Sequence, residues 1–145
     1  MSNHEAGKKG EKASETYMNT LGYTRANKKI REETEEKYKK EGILIEKSGF
    51  DYIKASEMND PLPTLYELKT AGANRKTEVG DNWKGLGFTY TQKEEHNASV
   101  LGEKYKFIFL DLKKQRHIFL SEGDFLKDDH ARIYPTKSIF IKCLE

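Results

Sequence analysis

A mixed α/β domain, with helices laid against a central sheet, is the fold class this sequence predicts. Three observations point there. A helical pattern comes first; apolar runs of strand length follow at 50–55, 64–70 and 105–112; and a second helix with its own start signal stands between the last two. At 145 residues the chain suits one core, so a single domain over 1–145 is expected, with residues 1–7 frayed.

The elements follow in order. From Lys8 to Leu21, the positions Ala13, Ser14, Tyr17, Met18 and Leu21 form one helical stripe, and Gly22 supplies the stop. Glu11 precedes Ser14 and Met18 by one and two helical turns, so its carboxylate is expected at the inward edge of that stripe. Tyr23-Thr24-Arg25 reads as a short edge strand. IREETEEKYKKEG mixes Glu and Lys at i,i+4, which predicts an exposed helix, and residues 30–42 are read as a helical surface insertion ended by Gly42. ILIEKSGFDYIKAS holds two strand-like pieces around Ser48-Gly49, and NDPLP at 59–63 is a turn, so 50–55 and 64–70 should pair as neighbours. AGANRKTEVGDNWKGLG is loop-like. Thr91 and Glu94 form a capping box that opens a helix over Gln92–Glu103. YKFIFLDL is the most apolar run and predicts a buried central strand, while HIFLSE and SIFIKCL predict two more.

Composition excludes some functions. Hydrophobic residues make up 35% and charged residues 34%, yet eight Tyr, seven Phe and one Trp supply the large side chains a core needs. The net charge of +2 does not by itself argue for a nucleic-acid partner. Basic residues gather at 8–9, 25–31, 69–76 and 113–116, and any one such run is more often a solvated face or loop. Cys143 stands alone, so neither a disulfide nor a zinc site is expected, and a reducing, cytoplasmic setting fits. The opening MSNHEAGKKGEK lacks an apolar h-region and no run approaches membrane-spanning length, so neither export nor a membrane partner is expected. His4, His96, His117 and His130 are scattered, and Trp83 and Tyr90 suit core or loop packing better than stacking on bases.

LYELKT carries the candidate site. Glu67 and Lys69 share one face of a strand, with Tyr66 and Leu68 on the other. Asp51 lies on the neighbouring strand just after Gly49-Phe50. If the hairpin registers as expected, Asp51 and Glu67 bring two carboxylates within reach of one divalent ion. Mg²⁺ or Mn²⁺ takes hard oxygens and keeps waters, so the backbone carbonyl of Leu68 and a substrate phosphate would complete the shell. Lys69 would sit beside an attacking water, and Glu11 would hold a second ion or an outer-shell water. The plainer reading of Glu67 and Lys69 is an exposed ion pair, contributing about 0 to 1 kcal/mol. Glu-x-Lys alone carries little weight, and Asp111-Leu112-Lys113 is a decoy that ends another strand.

These residues resemble the PD-(D/E)xK nuclease superfamily. GKKGEKASETYMNTLGY resembles the N-terminal helix of Holliday-junction-resolvase-like and restriction-endonuclease-like members, with Gly7, Gly10, Glu11, Tyr17, Met18, Gly22 and Tyr23 at matching positions. SGFDYI resembles the strand carrying the family aspartate, and LYELKT the strand carrying Glu-x-Lys. FTYTQKEEHNASVLGEKYKFIFLDL is similar to the helix and strand that follow in the domain at the C-terminus of NO VEIN-type proteins, a branch of that superfamily. The resemblance covers about residues 7–112 and leaves 113–145 unmatched.

What the resemblance implies is a restriction-endonuclease-like mixed central sheet flanked by helices, and Mg²⁺-dependent phosphodiester hydrolysis by Glu11, Asp51, Glu67 and Lys69. DNA is the favoured substrate, in defence, repair or recombination. Phe50 stands in place of the proline of the family motif, which many members also lack, and the 30–42 insertion leaves Glu15 as an alternative to Glu11, one turn away. Lys8, Lys9, Asn74, Arg75, Lys76, Lys84, Gln92 and Lys93 are the candidate nucleic-acid contacts, with a polar loop and solubilising lysines as their plain alternative. A homodimer would serve double-strand cutting. The alternative function is a nucleic-acid-binding module that keeps the fold and does not cut.

Overall fold

The computed structural model describes residues 3–71, 79–126, 131–133 and 138–144. Helix α1 (Asn3–Thr20) and strand β1 (Tyr23–Arg25) come first, then α2 (Lys28–Lys39), β2 (Tyr52–Lys54) and β3 (Leu65–Ala71). Strand β4 (Gly87–Thr89), α3 (Gln92–Leu101), β5 (Tyr105–Asp111), β6 (Arg116–Leu120), α4 (Glu122–Phe125), β7 (Ala131–Ile133) and β8 (Ser138–Ile141) complete the order. The main sheet runs β1-β2-β3-β5-β6, and a smaller one runs β4-β8-β7. Strands β3 and β5 pair in parallel while the other neighbours are antiparallel, so the fold is the mixed α/β arrangement the sequence predicts. Among the described residues no helix is long and apolar enough to cross a membrane.

Alternation along β3 and β5 divides the sheet into two faces. Leu65, Phe107 and Phe109 point into the main core with Ile30 and Tyr38 of α2, Ala98 and Leu101 of α3, and Phe125 of α4. Tyr66 and Ile108 point the other way, into a smaller cluster with Tyr52 and Met18 of α1. Helix α1 therefore covers one face, and α2, α3 and α4 contribute to the other. The small sheet joins the main core through Ile139 and Ile141.

Several expectations need correction. Helix α1 is assigned from Asn3, so it includes residues 3–7 of the segment read as frayed. Of its expected stripe Ser14 and Met18 are buried, whereas Ala13 and Leu21 are exposed, so the covered strip is narrower than the pattern suggested.

Helix α2 is no mere surface insertion. Asn27 caps it by accepting from the Ile30 N–H, and Ile30, Thr34 and Tyr38, spaced four apart, are all buried. The Tyr38 hydroxyl donates to the Pro63 carbonyl, tying the helix to the turn before β3. Strand β4 forms at the end of the stretch read as loop, and it pairs with β8 in the second sheet. Three residues are too few for a strand to show alternation.

The buried face of α2 has a measurable consequence. Ile30→Ala should lower unfolding stability by about 2 to 4 kcal/mol, while Glu32→Ala on the exposed face should stay within about 0.5 kcal/mol. Urea titrations would check the difference, and equal small effects would return α2 to the surface.

Candidate functional site

Asp51 sits where β2 begins. Its N–H donates to the Tyr66 carbonyl at 2.8 Å, and its own carbonyl accepts from the Ala26 N–H at 2.8 Å. The β2–β3 register pairs Tyr52 with Tyr66 and Ile53 with Leu65, so the expected hairpin pairing is present. One residue before Tyr52, the Asp51 side chain turns toward β3, and its Oδ2 accepts the Leu68 N–H at 2.9 Å.

The segment ahead of Asp51 is pinned from above by α3. Asn97, fully buried, donates from Nδ2 to the carbonyls of Glu46 at 2.9 Å and Gly49 at 3.2 Å. Its Oδ1 accepts from the Glu46 N–H at 2.7 Å. A Cβ on residue 49 would stand 2.8 Å from Asn97 Nδ2, so only glycine permits this approach. From below, the Tyr105 hydroxyl donates to the same Gly49 carbonyl at 2.6 Å.

Glu67 projects from the middle of β3 on the α3 side of the sheet and is 7% exposed. Its Oε2 is buried with no hydrogen-bond donor among the described residues. What lies within hydrogen-bonding reach is a second carboxyl group, that of Asp51. Burial first, then the charge and contact of Asp51, then the charge of Glu94, push the Glu67 carboxyl well above the usual carboxylate range; Lys69 opposes them. Tyr105 forms the floor. Burial, then the charges of Glu67, Glu94 and Asp51, raise its hydroxyl far above the ordinary phenol value.

Lys69 shares the Glu67 face, as the spacing predicts, but it is not an exposed partner of Glu67. Its Nζ donates to Glu94 Oε1 at 2.7 Å and to the Thr89 carbonyl at 2.9 Å, and it lies 5.3 Å from the centre of the Phe88 ring. The Lys69 and Glu94 side chains are 11% and 8% exposed. Sequence reasoning missed Glu94, Asn97 and Tyr105. The capping box marked Glu94 only as a helix start, and no local pattern announces that the same oxygen reaches across to β3.

The remaining candidates fall as follows. Glu11 is exposed on α1, which packs on the opposite face of the sheet. Burial, with Glu15 and then Asp51 and Glu11 adding to it against Arg25, brings the Tyr52 hydroxyl up to about 12. Glu15 pairs with Arg25 at 3.9 Å. Among the described residues no group of three or more His, Cys, Asp or Glu is placed to hold a metal ion. Lys84, Gln92 and Lys93 are exposed, and Lys93 Nζ donates to Ser48 Oγ at 2.8 Å, beside the segment leading to Asp51. Lys8 and Lys9 lie on α1 with side chains outside the described set, and Asn74, Arg75 and Lys76 lie outside the described residues. Trp83 and Tyr90 are buried in the main core. The decoy Asp111 is buried against Arg116 Nε at 3.2 Å, and that guanidinium also stacks over Trp83.

Comparisons with protein-family models, curated proteins and solved structures return no match.

The raised Glu67 carboxyl makes stability depend on pH. Between the ordinary carboxylate range and its raised folded value, the folded chain holds a proton that the unfolded chain has released. Stability contributed by that proton is therefore present at mildly acidic pH and lost as pH rises through the folded value. In a chelator-containing buffer, Glu67→Gln should remove this decline, so its urea midpoint should increasingly exceed that of the wild type as pH rises from the ordinary carboxylate range to the folded value, and then stay above it. Parallel pH profiles would contradict the placement of Glu67.

Proposed function

We propose that this chain is a divalent-metal-dependent nuclease that hydrolyses phosphodiester bonds, with DNA as the substrate. One observation carries the reading: two carboxyl groups from adjacent strands meet on one side of the sheet, one of them buried with an oxygen that no donor among the described residues satisfies. A lysine stands two residues further along the same face.

The donor set fits Mg²⁺ or Mn²⁺. Such ions take one or two protein carboxylates and complete an octahedron with waters and substrate phosphate, so Asp51 and Glu67 meet that demand without a third acidic residue. In a strand, a residue's N–H and C=O project to the same edge. The Leu68 N–H meets Asp51, which aims the Leu68 carbonyl to that side as well. When bound, the ion supplies neutralisation of phosphodiester charge and a more acidic water.

The chain's own groups do the rest. Lys69 Nζ has three N–H bonds, of which Glu94 Oε1 and the Thr89 carbonyl accept two. The third is suited to a water or to a non-bridging phosphate oxygen. Asp51 is held by two backbone hydrogen bonds through its own amide and carbonyl, and its Oδ2 accepts the Leu68 N–H, which directs the carboxylate before any ligand arrives. Lys93 Nζ donates to Ser48 Oγ at 2.8 Å, three residues ahead of Asp51 in the chain.

A second reading, a nucleic-acid-binding module that does not cut, is favoured by one feature: the Lys69 ammonium is already engaged by Glu94. The two separate in one assay. With Mn²⁺ or Mg²⁺ the nuclease cleaves labelled DNA, EDTA abolishes the cleavage, and Asp51→Ala or Lys69→Ala lowers the rate by about 100-fold or more. Filter retention of DNA without cleavage, unchanged by Glu67→Ala, would sink the hydrolytic reading and leave the binding module.

A further inference from the structure

We infer that Glu94 is the positioning residue for Lys69, so that the first turn of α3 sets the direction in which the lysine ammonium points. The inference rests on the reading of Lys69 as part of a hydrolytic site. It starts from an inequality between two bonds made by one oxygen. In a capping box the N3 glutamate reaches back to the backbone N–H of the N-cap residue. Here Glu94 Oε1 meets the Thr91 N–H only at 3.5 Å, whereas it meets Lys69 Nζ at 2.7 Å. The cap proper is made by the reverse bond, in which the Glu94 N–H donates to Thr91 Oγ1 at 3.2 Å. The Glu94 carboxylate is thus directed across the gap to β3 more closely than along its own helix.

Stability alone does not account for such a pair. A nearly buried Lys–Glu bridge loses about as much in desolvation as it gains in attraction, and apolar residues of similar volume serve packing as well. What the bridge does provide is direction. A lysine has a four-carbon stem and a freely turning ammonium. Held by Glu94 Oε1 and the Thr89 carbonyl, with the Phe88 ring 5.3 Å away, it has one N–H direction left among the described residues. Glu94 touches neither substrate nor reacting atoms in this account; it acts through Lys69.

The test pairs Glu94→Gln with Thr91→Ala in the full chain. Glutamine keeps the shape and an acceptor but not the charge; alanine at 91 removes the cap and leaves the Lys69 contact. The readout independent of cleavage is the ¹H–¹⁵N signal of the Lys69 ammonium, which a buried double acceptor protects from exchange with water. It should be visible in the wild type and in Thr91→Ala, and lost in Glu94→Gln while the amide spectrum stays folded. In DNA cleavage with Mn²⁺, Glu94→Gln should lower kcat by about 10-fold to 100-fold with KM within about 2-fold, and Thr91→Ala should leave kcat within about 2-fold. An ammonium signal unchanged in Glu94→Gln overturns the inference, as does an unchanged kcat. A wild type that does not cleave overturns the nuclease reading instead, and the ammonium signal then still decides whether Glu94 holds Lys69.

Discussion

Two carboxyl groups facing one another on one face of the central sheet, with no donor among the described residues on one buried oxygen, are the constraint around which the rest of this site is arranged. Two unit negative charges about 4 Å apart repel by about 4 kcal/mol even at an effective dielectric constant near 20. Asp51 and Glu67 therefore need something positive between them, either a shared proton or a cation. Asp51 is held in place, because its amide and carbonyl extend the β1–β2–β3 ladder and its Oδ2 accepts the Leu68 N–H. Glu67 cannot turn to water, because it projects from the middle of a strand beneath α3. Where that proton is lost, a divalent ion would relieve the repulsion.

Helix α3 holds both halves of that arrangement. Glu94 and Asn97 are one turn apart, so they leave the helix on the same buried side. Asn97 grips the backbone of Glu46 and Gly49, which sets where Asp51 enters the sheet, and Glu94 grips Lys69 on the far side of Glu67. The parallel pairing of β3 with β5 explains why a helix stands there at all, since parallel neighbours require a long crossover. Topology thus puts a polar helix face over the strand that carries the charged residues, and Tyr105 closes the floor by donating to Gly49 from below.

Much of this was legible in the amino-acid sequence because it depends on period and punctuation. The two-residue repeat set Glu67 and Lys69 on one face, the NDPLP turn put Asp51 on the neighbouring strand, and Thr91 with Glu94 marked the start of α3. What escaped is what depends on meeting across space. The Glu/Lys mixture of α2 hid a buried row at Ile30, Thr34 and Tyr38, since four-residue spacing with a central threonine is a weak apolar signal. Helical spacing put Glu11 at the edge of a stripe, but it could not say that α1 would cover the face away from Glu67. The partner of Lys69 could not be read either: the nearest acid along the strand is Glu67, and the one it meets is 25 residues away.

The central claim, that Asp51 and Glu67 form one cation site, is tested most directly by sub-stoichiometric Mn²⁺ added to the ¹⁵N-labelled protein, because paramagnetic broadening reports position without any substrate. The account predicts that the amide signals of Asp51, Glu67 and Leu68 broaden first, and that Asp51→Asn together with Glu67→Gln removes the effect. Broadening that begins along the acidic surface of α2, or that is indifferent to those two substitutions, would contradict it.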